Sequence, residues 1–306
     1  MNLRDLRYAV AVADRGHFGR AAIACNVSQP TLSGQILKLE EELQVKIFDR
    51  MGKSVRPTRI GSEILSLARQ AIAAANDIEA TALASRDPLS GSIRFGVIPT
   101  LAPYLLAGIL QLAERELPAA PLVLVEDITH HLLDQLVDGE IDTALIASDP
   151  RDERLVSAGV FDDAFLLALS PRSALAAKPA VTADDIRSEM LLLLPDGHCL
   201  RDQALDLCSV IEGGSLGSDV RASSLETLLH LVAADYGVTL IPRLAWEGRE
   251  RLVGRLIVRP IADERARRRV RMVWRRGLPR SAVVEALTRV VRDSAPECVE
   301  RVEGGQ

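Results

Sequence analysis

The chain has 306 residues, 48% of them hydrophobic, and a net charge of −5, which allows a sizeable core in two or three domains and argues against a uniformly basic nucleic-acid binder. The charge is uneven: residues 1–60 hold ten basic and six acidic side chains and the remainder holds 27 and 36, as in a DNA-binding head joined to an acidic sensing body. No secretion signal opens the chain and no apolar run could cross a bilayer, so we expect a cytosolic protein whose four cysteines are not a static disulfide framework.

Three helices are predicted in the first 43 residues. Apolar residues at helical spacing indicate a helix from Leu3 to about Arg15 and a short one from Phe18 to Cys25. Ser28 is a good N-cap for the third helix, with Pro30 in its first turn, where a missing N–H costs nothing. An apolar stripe lies opposite small polar residues on that helix: Leu32, Ile36, Leu39 and Leu43 opposite Thr31, Gly34, Gln35 and Lys38. This arrangement is typical of a helix-turn-helix that reads the major groove.

A two-stranded wing is predicted between Val45 and Arg56, where Gly52 allows the turn. The stretch from Thr58 to about Asp87 contains almost no helix-breaking residues and predicts one long helix. Apolar residues recur along it every three or four positions, at Ile64, Leu67, Ala71, Ala74, Ile78, Thr81 and Ala82. We interpret this seam as the contact with a partner helix and expect a dimer, although packing on the helix's own domain would give the same pattern.

Beyond a hinge at Pro88, Ser90 and Gly91, strands and helices alternate. The predicted strands are Ser92–Pro99, Leu122–Ile128, Ile141–Ala147, Phe161–Ser170, Met190–Pro195, Asp219–Ala222 and Gly237–Ile241, and the helices are Leu101–Leu117, His130–Gly139 and Leu225–Tyr236. The alternation predicts an α/β fold with parallel sheets and helices on both faces, arranged as two lobes. Ligands of such sheets bind at the C-terminal ends of the strands.

Several motifs resemble the winged helix-turn-helix of LysR-type transcription regulators: Phe18 to Ala22, Val27 to Ser33, Gln35-Ile36, Leu39-Glu40, Leu43, Ile47-Phe48, Arg50, and Thr58 with Gly61. The resemblance covers the whole chain, and Gln44 departs from it in the wing turn, where the family usually has glycine. It implies a winged helix-turn-helix DNA-binding domain at 1–58, a dimerisation linker helix at 59–87, and a regulatory domain at 88–306. That domain would be a two-lobed α/β domain like a periplasmic binding protein, with lobe I at about 88–162 and 266–306 and lobe II at about 163–265.

A narrower resemblance links Gly197-His198-Cys199-Leu200-Arg201-Asp202-Gln203 and the later Cys208 to the peroxide-sensing branch of the same family. The segments His17 to Arg20 and Thr129-His130, together with Cys25, also match that branch. The resemblance implies a homotetramer, a dimer of dimers, that binds double-stranded DNA and activates or represses antioxidant-defence genes, with RNA polymerase as a further partner. We expect no cofactor and no enzymatic activity.

Cys199 is the candidate peroxide-reactive residue, because His198 and Arg201 lie close in sequence and a following helix would direct its positive end to the sulfur. The resemblance implies a peroxide pocket formed by Thr100, Thr129, His130, Gly197, His198, Arg201 and Asp202, with the two threonine hydroxyls near the sulfur. The alternatives are a buried structural cysteine and two threonines in ordinary strand-to-helix caps.

The resemblance also implies that Cys199, as the peroxidatic residue, forms a disulfide with Cys208, as the resolving residue. If residues 200–207 are helical, the two cysteines lie about 13 Å apart along the axis, whereas the Cα atoms of a disulfide lie within about 7 Å. Oxidation would therefore rearrange this segment. We expect Cys25 in the core, Cys298 in an exposed or disordered tail, and the adjacent His130 and His131 on different helix faces, with no metal site.

The predicted DNA contacts are of two kinds. Residues in or near the reading helix could meet base edges: Gln29, Pro30, Thr31, Ser33 and Gln35. The wing would contact phosphates through Arg50, Lys53 and Arg56. The basic run Arg265–Arg276 alternates with Val270, Met272 and Trp274, so we interpret it as a half-exposed strand with a charged outer face and not as a second DNA site.

Three other functions compete with that of a peroxide sensor. The main alternative is a LysR-type regulator of a metabolic operon, with a small organic effector between the lobes and inert cysteines. A thiol peroxidase is less well supported, because no peroxidase motif is present and the DNA-binding head argues against it. A periplasmic-type binding protein is excluded by that head and by the missing signal.

Overall fold

The structure is a computed structural model that describes residues 1–51, 54–208, 224–247 and 255–302, without the side chains of Arg50, Met51, Ser54 and Cys208. Lys53 and the strand predicted at Asp219–Ala222 lie outside the described residues. The chain divides into two compact units, Met1–Asp87 with Gln135–Glu140 and Pro88–Asp134 with Ile141–Gln306. Within the described ranges no helix is both long enough and apolar enough to cross a membrane.

The first unit begins with the predicted helix-turn-helix. It consists of α1 (Leu3–Arg15), α2 (Phe18–Ala24) and α3 (Gln29–Leu43), followed by an antiparallel wing of β1 (Phe48–Met51) and β2 (Ser54–Pro57). The Ser28 hydroxyl accepts a hydrogen bond from the Thr31 amide at 3.2 Å and so caps α3. The apolar stripe of α3 is buried against the other helices and the wing. The prediction of a winged helix-turn-helix is therefore confirmed.

Glu40 fastens α3 to the wing. Its buried carboxylate accepts hydrogen bonds from the amides of Ile47, at 2.8 Å, and Phe48, at 3.1 Å. Gln44, which departs from the family pattern, lies at the C-cap of α3 and not in the wing turn. Its φ of 54° is in the left-handed region that favours glycine, which explains why glycine is usual at this position.

The long helix α4 (Arg59–Ala84) follows the wing directly. A Cβ atom on Gly61 would clash with the carbonyl oxygen of Ile47, so glycine is required where the helix passes the chain before β1. One side of α4 is buried in its own unit, whereas Leu67 and Ile78 are 65% and 73% exposed. The predicted seam therefore contains an exposed stripe, which consists of Leu67, Ala71, Ala74 and Ile78.

After α4 the chain contains eight described strands and seven described α-helices. The strands are β3 (Ile93–Val97), β4 (Leu122–Glu126), β5 (Thr143–Ile146), β6 (Leu155–Leu169), β7 (Thr239–Pro242), β8 (Ile257–Pro260), β9 (Arg267–Arg275) and β10 (Glu300–Arg301). The helices are α5 (Ala102–Glu116), α6 (Thr129–Val137), α7 (Ala183–Arg187), α8 (Cys199–Cys208), α9 (Leu225–Ala233), α10 (Arg243–Trp246) and α11 (Ser281–Asp293). The α/β class is therefore confirmed.

The sheet is mixed, and the prediction of parallel sheets is right only for its first part. β3 pairs in parallel with β4 and β5, as β-α-β connections require. β9 runs antiparallel to β5 and β6, because these long strands lead the chain between the two lobes. The first half of β6 pairs with β9, and its second half pairs with β7 and β8 of the second lobe.

The second lobe has its own core, which extends in sequence from Phe165 to Ala266. The strand predicted at Met190–Pro195 is wrong. Within the described residues only a single bridge forms there, between Leu191 and Val238. The amide of Leu192 donates to the carbonyl oxygen of Val238, and the amide of Val238 donates to that of Met190. The strand C-terminal ends of β3 and β4 lead into the segments that carry Thr100 and Thr129.

Candidate functional site

Cys199 is the first residue of α8 and is only 8% exposed. Three following residues, Leu200, Ala204 and Leu207, pack into the core of the second lobe. Burial raises the pKa of the Cys199 thiol, and the positive charge of Arg268 and the nearby Thr129 hydroxyl offset part of that rise. Asp202 raises the pKa slightly further. The resting site therefore holds a protonated thiol with a cation close by.

Arg268 is fully buried and carries most of the polar contacts of this site. Its Nε and Nη2 donate to Oδ2 of Asp163 at 3.1 and 3.0 Å, and neither side chain is exposed. Nη1 donates to the Thr100 hydroxyl at 2.9 Å, and Nη2 donates to the Thr100 carbonyl oxygen at 3.2 Å. A guanidinium has five N–H groups, and these four contacts leave one N–H of Nη1 without a hydrogen bond among the described residues.

The interpretation of Arg265–Arg276 as a strand with its charges on the outer face is therefore wrong at one position. Side chains alternate between the two faces of a strand, so Arg268 lies on the same face as the buried Val270 and Met272. Arg267 and Arg269 lie on the exposed face, as predicted. The sequence already contained this signal, because Arg268 lies an even number of positions from its apolar neighbours in the strand and so shares their face.

Arg268 also determines whether the Thr100 hydroxyl accepts or donates in their hydrogen bond. A guanidinium offers only donors, so the Thr100 oxygen must accept, and its own hydrogen is left to donate elsewhere. The Thr129 hydroxyl is buried and forms no full hydrogen bond within the described part of the chain, yet it lies close enough to lower the Cys199 pKa. Arg268 and the Thr129 hydroxyl thus act on the sulfur, and the Thr100 hydroxyl contacts Arg268.

The other sequence-predicted residues lie around this centre in different roles. The Arg201 guanidinium pairs with Asp196 at 2.9 Å and so is engaged away from Cys199. Burial lowers the pKa of His198, which favours a neutral imidazole near pH 7. Asp202 is exposed. The charge that sequence proximity assigned to His198 and Arg201 is supplied instead by Arg268, 69 residues away along the chain.

Gly197 packs directly against His130 and has a φ of 94°. A Cβ atom there would lie 2.8 Å from Cδ1 of Ile128 and 3.0 Å from Cε1 of His130. The turn that places Cys199 at the start of α8 therefore requires glycine both for its backbone conformation and for its close contact with α6.

We expect Gly197→Ala to destabilise the second unit by about 1–3 kcal/mol in urea unfolding, because the new methyl group adds a clash to backbone strain. Gly277→Ala is the matched control. Gly277 has a φ of 76°, but no atom lies within 4 Å of the new Cβ. Its loss of stability should therefore be smaller and come only from backbone strain. Equal losses for the two variants would contradict the role of the His130 contact.

The helix α8 sets the distance between the two cysteines of the predicted disulfide. It extends unbroken from Cys199 to Cys208, so the two Cα atoms are about 13 Å apart. Gln203, which sequence reasoning missed, ties the middle of α8 to the end of β5 through a 2.6 Å bond from Nε2 to the Ala147 carbonyl oxygen. The sulfur of Cys208 lies outside the described side chains.

A cavity of about 390 Å³ adjoins the site. Thr100 and His198 line it, together with Pro99, Tyr104, Glu126 and Leu225. The cavity therefore reaches two of the residues that the sequence resemblance placed in a peroxide pocket.

The remaining cysteines and histidines differ in part from expectation. Cys25 contacts the core of the helix-turn-helix, as predicted. Cys298 is half-buried and lines a groove of about 630 Å³, so the expectation of an exposed or disordered position is wrong. The rings of His130 and His131 are 4.2 Å apart and so do not diverge. No group of three metal-ligating side chains occurs in the described part of the chain.

The candidate DNA contacts fall on one helix and the wing. Gln29, Pro30 and Thr31 are exposed at the start of α3, and Ser33 and Gln35 are half-buried. Arg56 is exposed on β2. The side chain of Arg50 and the whole of Lys53 lie outside the description. The helix start thus presents small polar side chains suited to base edges.

Comparison with known proteins agrees with this architecture. Residues 3–62 match the model of the bacterial regulatory helix-turn-helix proteins of the LysR family, and residues 86–296 match the LysR substrate binding domain. The chain is 39% identical to the hydrogen peroxide-inducible genes activator of Dickeya chrysanthemi, over 96% of this chain and 95% of that protein.

Two solved structures are also similar over almost the whole chain. Full-length OxyR of Pseudomonas aeruginosa, with a cysteine-to-aspartate substitution, superposes with a TM-score of 0.77 at 36% identity and covers 95% of each chain. The H₂O₂-bound OxyR of Corynebacterium glutamicum, in a cysteine-to-serine mutant, gives a TM-score of 0.65 at 32% identity and covers 96% of this chain and 92% of that one. The chain therefore belongs to the LysR family of bacterial regulatory helix-turn-helix proteins.

Proposed function

We propose that this chain is a hydrogen-peroxide-sensing transcription regulator, which activates antioxidant genes when Cys199 is oxidised and joins Cys208 in a disulfide. The observation that carries the proposal is a buried cysteine at the start of α8 on which the charge of Arg268 and the Thr129 hydroxyl act, with the Thr100 hydroxyl bonded to Arg268. The names of the similar proteins, a hydrogen peroxide-inducible genes activator and an H₂O₂-bound OxyR, support the same substrate.

The first step is oxidation of Cys199 to a sulfenic acid. The sulfur attacks one oxygen of peroxide, the O–O bond breaks, and the S–OH bond forms. Sulfur gives up two electrons, and the departing hydroxide takes the proton of the thiol and leaves as water. The Thr100 hydroxyl and the remaining N–H of Arg268 are donors suited to the negative charge that develops on the leaving oxygen.

The second step joins the two cysteines. The thiolate of Cys208 attacks the sulfenic sulfur, the S–S bond forms, and the hydroxyl leaves as water with one proton. A helical α8 holds the two Cα atoms about 13 Å apart, and a disulfide needs them within about 7 Å. The step therefore requires α8 to unwind.

Unwinding α8 exchanges one packed arrangement for another. Leu200 and Leu207 are buried in the core of the second lobe, and each contributes roughly 1.5–3 kcal/mol of burial. The disulfide must offset these contacts together with the bond from Gln203 to Ala147. The altered lobe surface then changes how the subunits dock and how the DNA-reading heads are spaced. Oxidation can shift this arrangement only through a difference in free energy between the two docked states.

The reading helix and the wing are proposed to contact DNA in different ways. Thr31→Ala should weaken binding to the specific operator by about 1–3 kcal/mol, because a lost base-edge contact affects one sequence. Arg56→Ala should weaken all sequences alike and lower the salt slope by about one unit, because it removes one phosphate contact. Titrations of specific and random DNA over a range of salt concentrations measure both effects. Loss of discrimination in the Arg56 variant would contradict the assignment.

The protein is proposed to act as a homo-oligomer, a dimer of dimers, through two apolar surfaces. One is the exposed stripe of α4, and the other comprises Val123 and Leu124 on the edge strand β4. An exposed apolar edge strand and an exposed helix stripe both favour pairing with a second copy.

Ile78→Asp should weaken the dimer at least tenfold in sedimentation analysis, because it puts a charge on the most exposed large apolar residue of the stripe. Glu79→Ala, an exposed change at the next residue, is the control and should leave the dimer intact. A fully dimeric Ile78 variant with normal operator affinity would exclude the stripe as the interface.

The protein is proposed to be cytoplasmic, with DNA and RNA polymerase as its partners. Its reaction with peroxide is proposed to be stoichiometric and not an enzymatic turnover.

A metabolic regulator with a small organic effector is the second candidate, because the cavity of about 390 Å³ could hold such a molecule. Footprinting with and without peroxide separates the two. Intact mass and thiol counting after one equivalent of peroxide should show the loss of two thiols and of two hydrogen atoms; an unchanged thiol count would favour the second candidate.

A further inference from the structure

Asp163 lies behind Arg268 in a fully buried ion pair that the reaction above does not use directly. The two residues face each other in the register of β6 and β9. Oδ2 of Asp163 accepts two bonds from Arg268, and Oδ1 accepts one from the Leu244 amide at the start of α10. Burying two charges costs free energy even when they are paired, so a gain in stability does not by itself explain this pair.

The charge of Arg268 is shared among three neighbours. Asp163 takes Nε and one N–H of Nη2, Thr100 takes two more N–H groups, and Cys199 lies within reach of the charge. The other charged or titratable groups at the sulfur are Asp202 on α8 itself and the neighbouring His198, whose burial favours the neutral form. Loss of a proton from Cys199 therefore places a third charge beside a pair that is already neutral overall.

We propose that Asp163 is a positioning residue that restrains Cys199: by neutralising Arg268, it keeps the resting sulfur protonated and raises the peroxide concentration at which the sensor responds. Without this carboxylate, Arg268 would be a buried cation with no counter-charge, and the thiolate would become its partner. This inference rests on the proposed peroxide reaction, because it concerns how readily that reaction begins.

A second thiol supports this placement of the charge. Cys298 lies near the same carboxylate, and its pKa is raised by burial and then by Glu247 and Asp163, with Arg243 acting in the opposite direction. Asp163 is thus expected to affect two thiols by different routes. It acts on Cys298 directly and on Cys199 through Arg268.

The test measures the titration of Cys199 in the full-length chain with Cys25, Cys208 and Cys298 replaced by serine. In Asp163→Asn, the amide oxygen still accepts from Leu244 but the charge is gone. The midpoint of the pH dependence of Cys199 alkylation should fall by at least one unit, which is a tenfold larger thiolate fraction below the midpoint. An unchanged midpoint, or a raised one, overturns the proposal, because a merely structural role would not lower it.

Asp162→Asn is the matched control. Asp162 is the preceding residue of β6 and pairs with Arg269 on the exposed face, so the same charge is removed without touching the site. Its Cys199 midpoint should stay at the wild-type value. A shift as large as that of Asp163→Asn would mean that net charge, and not position, controls the thiol, and would overturn the proposal.

A second comparison covers the case in which Asp163→Asn does not fold. Arg268→Gln is compared with Arg268→Gln/Asp163→Asn, in which two neutral side chains of similar shape face each other. The double variant should have the lower Cys199 midpoint, since an uncompensated negative charge is removed; an equal or higher midpoint overturns the proposal. Alkylation does not depend on peroxide, so a wild-type Cys199 that fails to react with peroxide sinks the proposed function while the midpoints still decide the role of Asp163.

Discussion

Cys199→Ser is expected to abolish the change in DNA footprint and the gene activation that peroxide produces. The hydroxyl of serine is far less nucleophilic than a thiolate and cannot pass through a sulfenic acid. The substitution changes one atom at a buried position, so the fold should be retained. Footprinting and a reporter assay with added peroxide measure the effect. A normal peroxide response in this variant would exclude the sensor function and favour the regulator with an organic effector.

The other three cysteines provide internal controls for this prediction. Cys25→Ser and Cys298→Ser should leave the response intact, because Arg268 lowers the pKa of Cys199 and is not among the charges that act on either of these two thiols in the described part of the chain. Cys208→Ser should stop the reaction at the sulfenic acid, which a sulfenic-acid-specific reagent then traps. Disulfide formation in the Cys208 variant would show that another cysteine resolves the intermediate.

Arg268→Gln is expected to have the second-largest effect, slowing the reaction of Cys199 with peroxide at neutral pH by at least tenfold. Arg268 lowers the pKa of Cys199 against the effect of burial, so removing the guanidinium raises the pKa and reduces the thiolate fraction. Each unit of upward shift costs a factor of ten in thiolate at a pH below the pKa. The rate should therefore recover as the pH rises, and stopped-flow oxidation between pH 6 and 10 measures this recovery.

This variant needs a control for stability, because Asp163 is left as an unpaired buried charge. Breaking one partner from such a pair costs about 3–5 kcal/mol, so rates must be taken on protein shown to be folded. Arg269→Gln is the matched control, since it removes the same charge one residue away on the exposed face of β9. A pH profile identical to that of the wild type in Arg268→Gln would contradict the electrostatic role.

Much of the molecule follows from local sequence alone. The Ser28 cap with Pro30 in the next turn, the buried stripe of α3 and the unbroken α4 are set by contacts within a few residues, and the structure has them close to where they were predicted. The candidate peroxide segment is also local, because Gly197 to Gln203 forms a turn and the start of one helix. The two threonines were assigned by the family resemblance, and the rule that parallel strands present their C-terminal ends at one edge agrees with that assignment.

The features that local patterns missed depend on residues far apart in the chain. Met190–Pro195 has the composition of a strand, but only its bridge to Val238 forms, because strand pairing requires a neighbour in register and not merely a suitable sequence. Gln203 belongs to the recognised motif, but its role depends on the end of β5, which places the Ala147 carbonyl oxygen beside it. The mixed direction of the sheet likewise depends on where β6 and β9 cross between the lobes.

The electrostatics of the cysteine show the same limit most clearly. The motif from Gly197 to Gln203 identifies Cys199 through its family resemblance, and proximity in sequence suggests His198 and Arg201 as its cations. The tertiary structure instead brings Arg268 and Asp163 together from β9 and β6, 105 residues apart, and buries both. Coulomb interactions depend on distance through space and strengthen where water is excluded. The sequence by itself therefore determines which sulfur is the candidate, and only the packing of distant strands decides which charge acts on it.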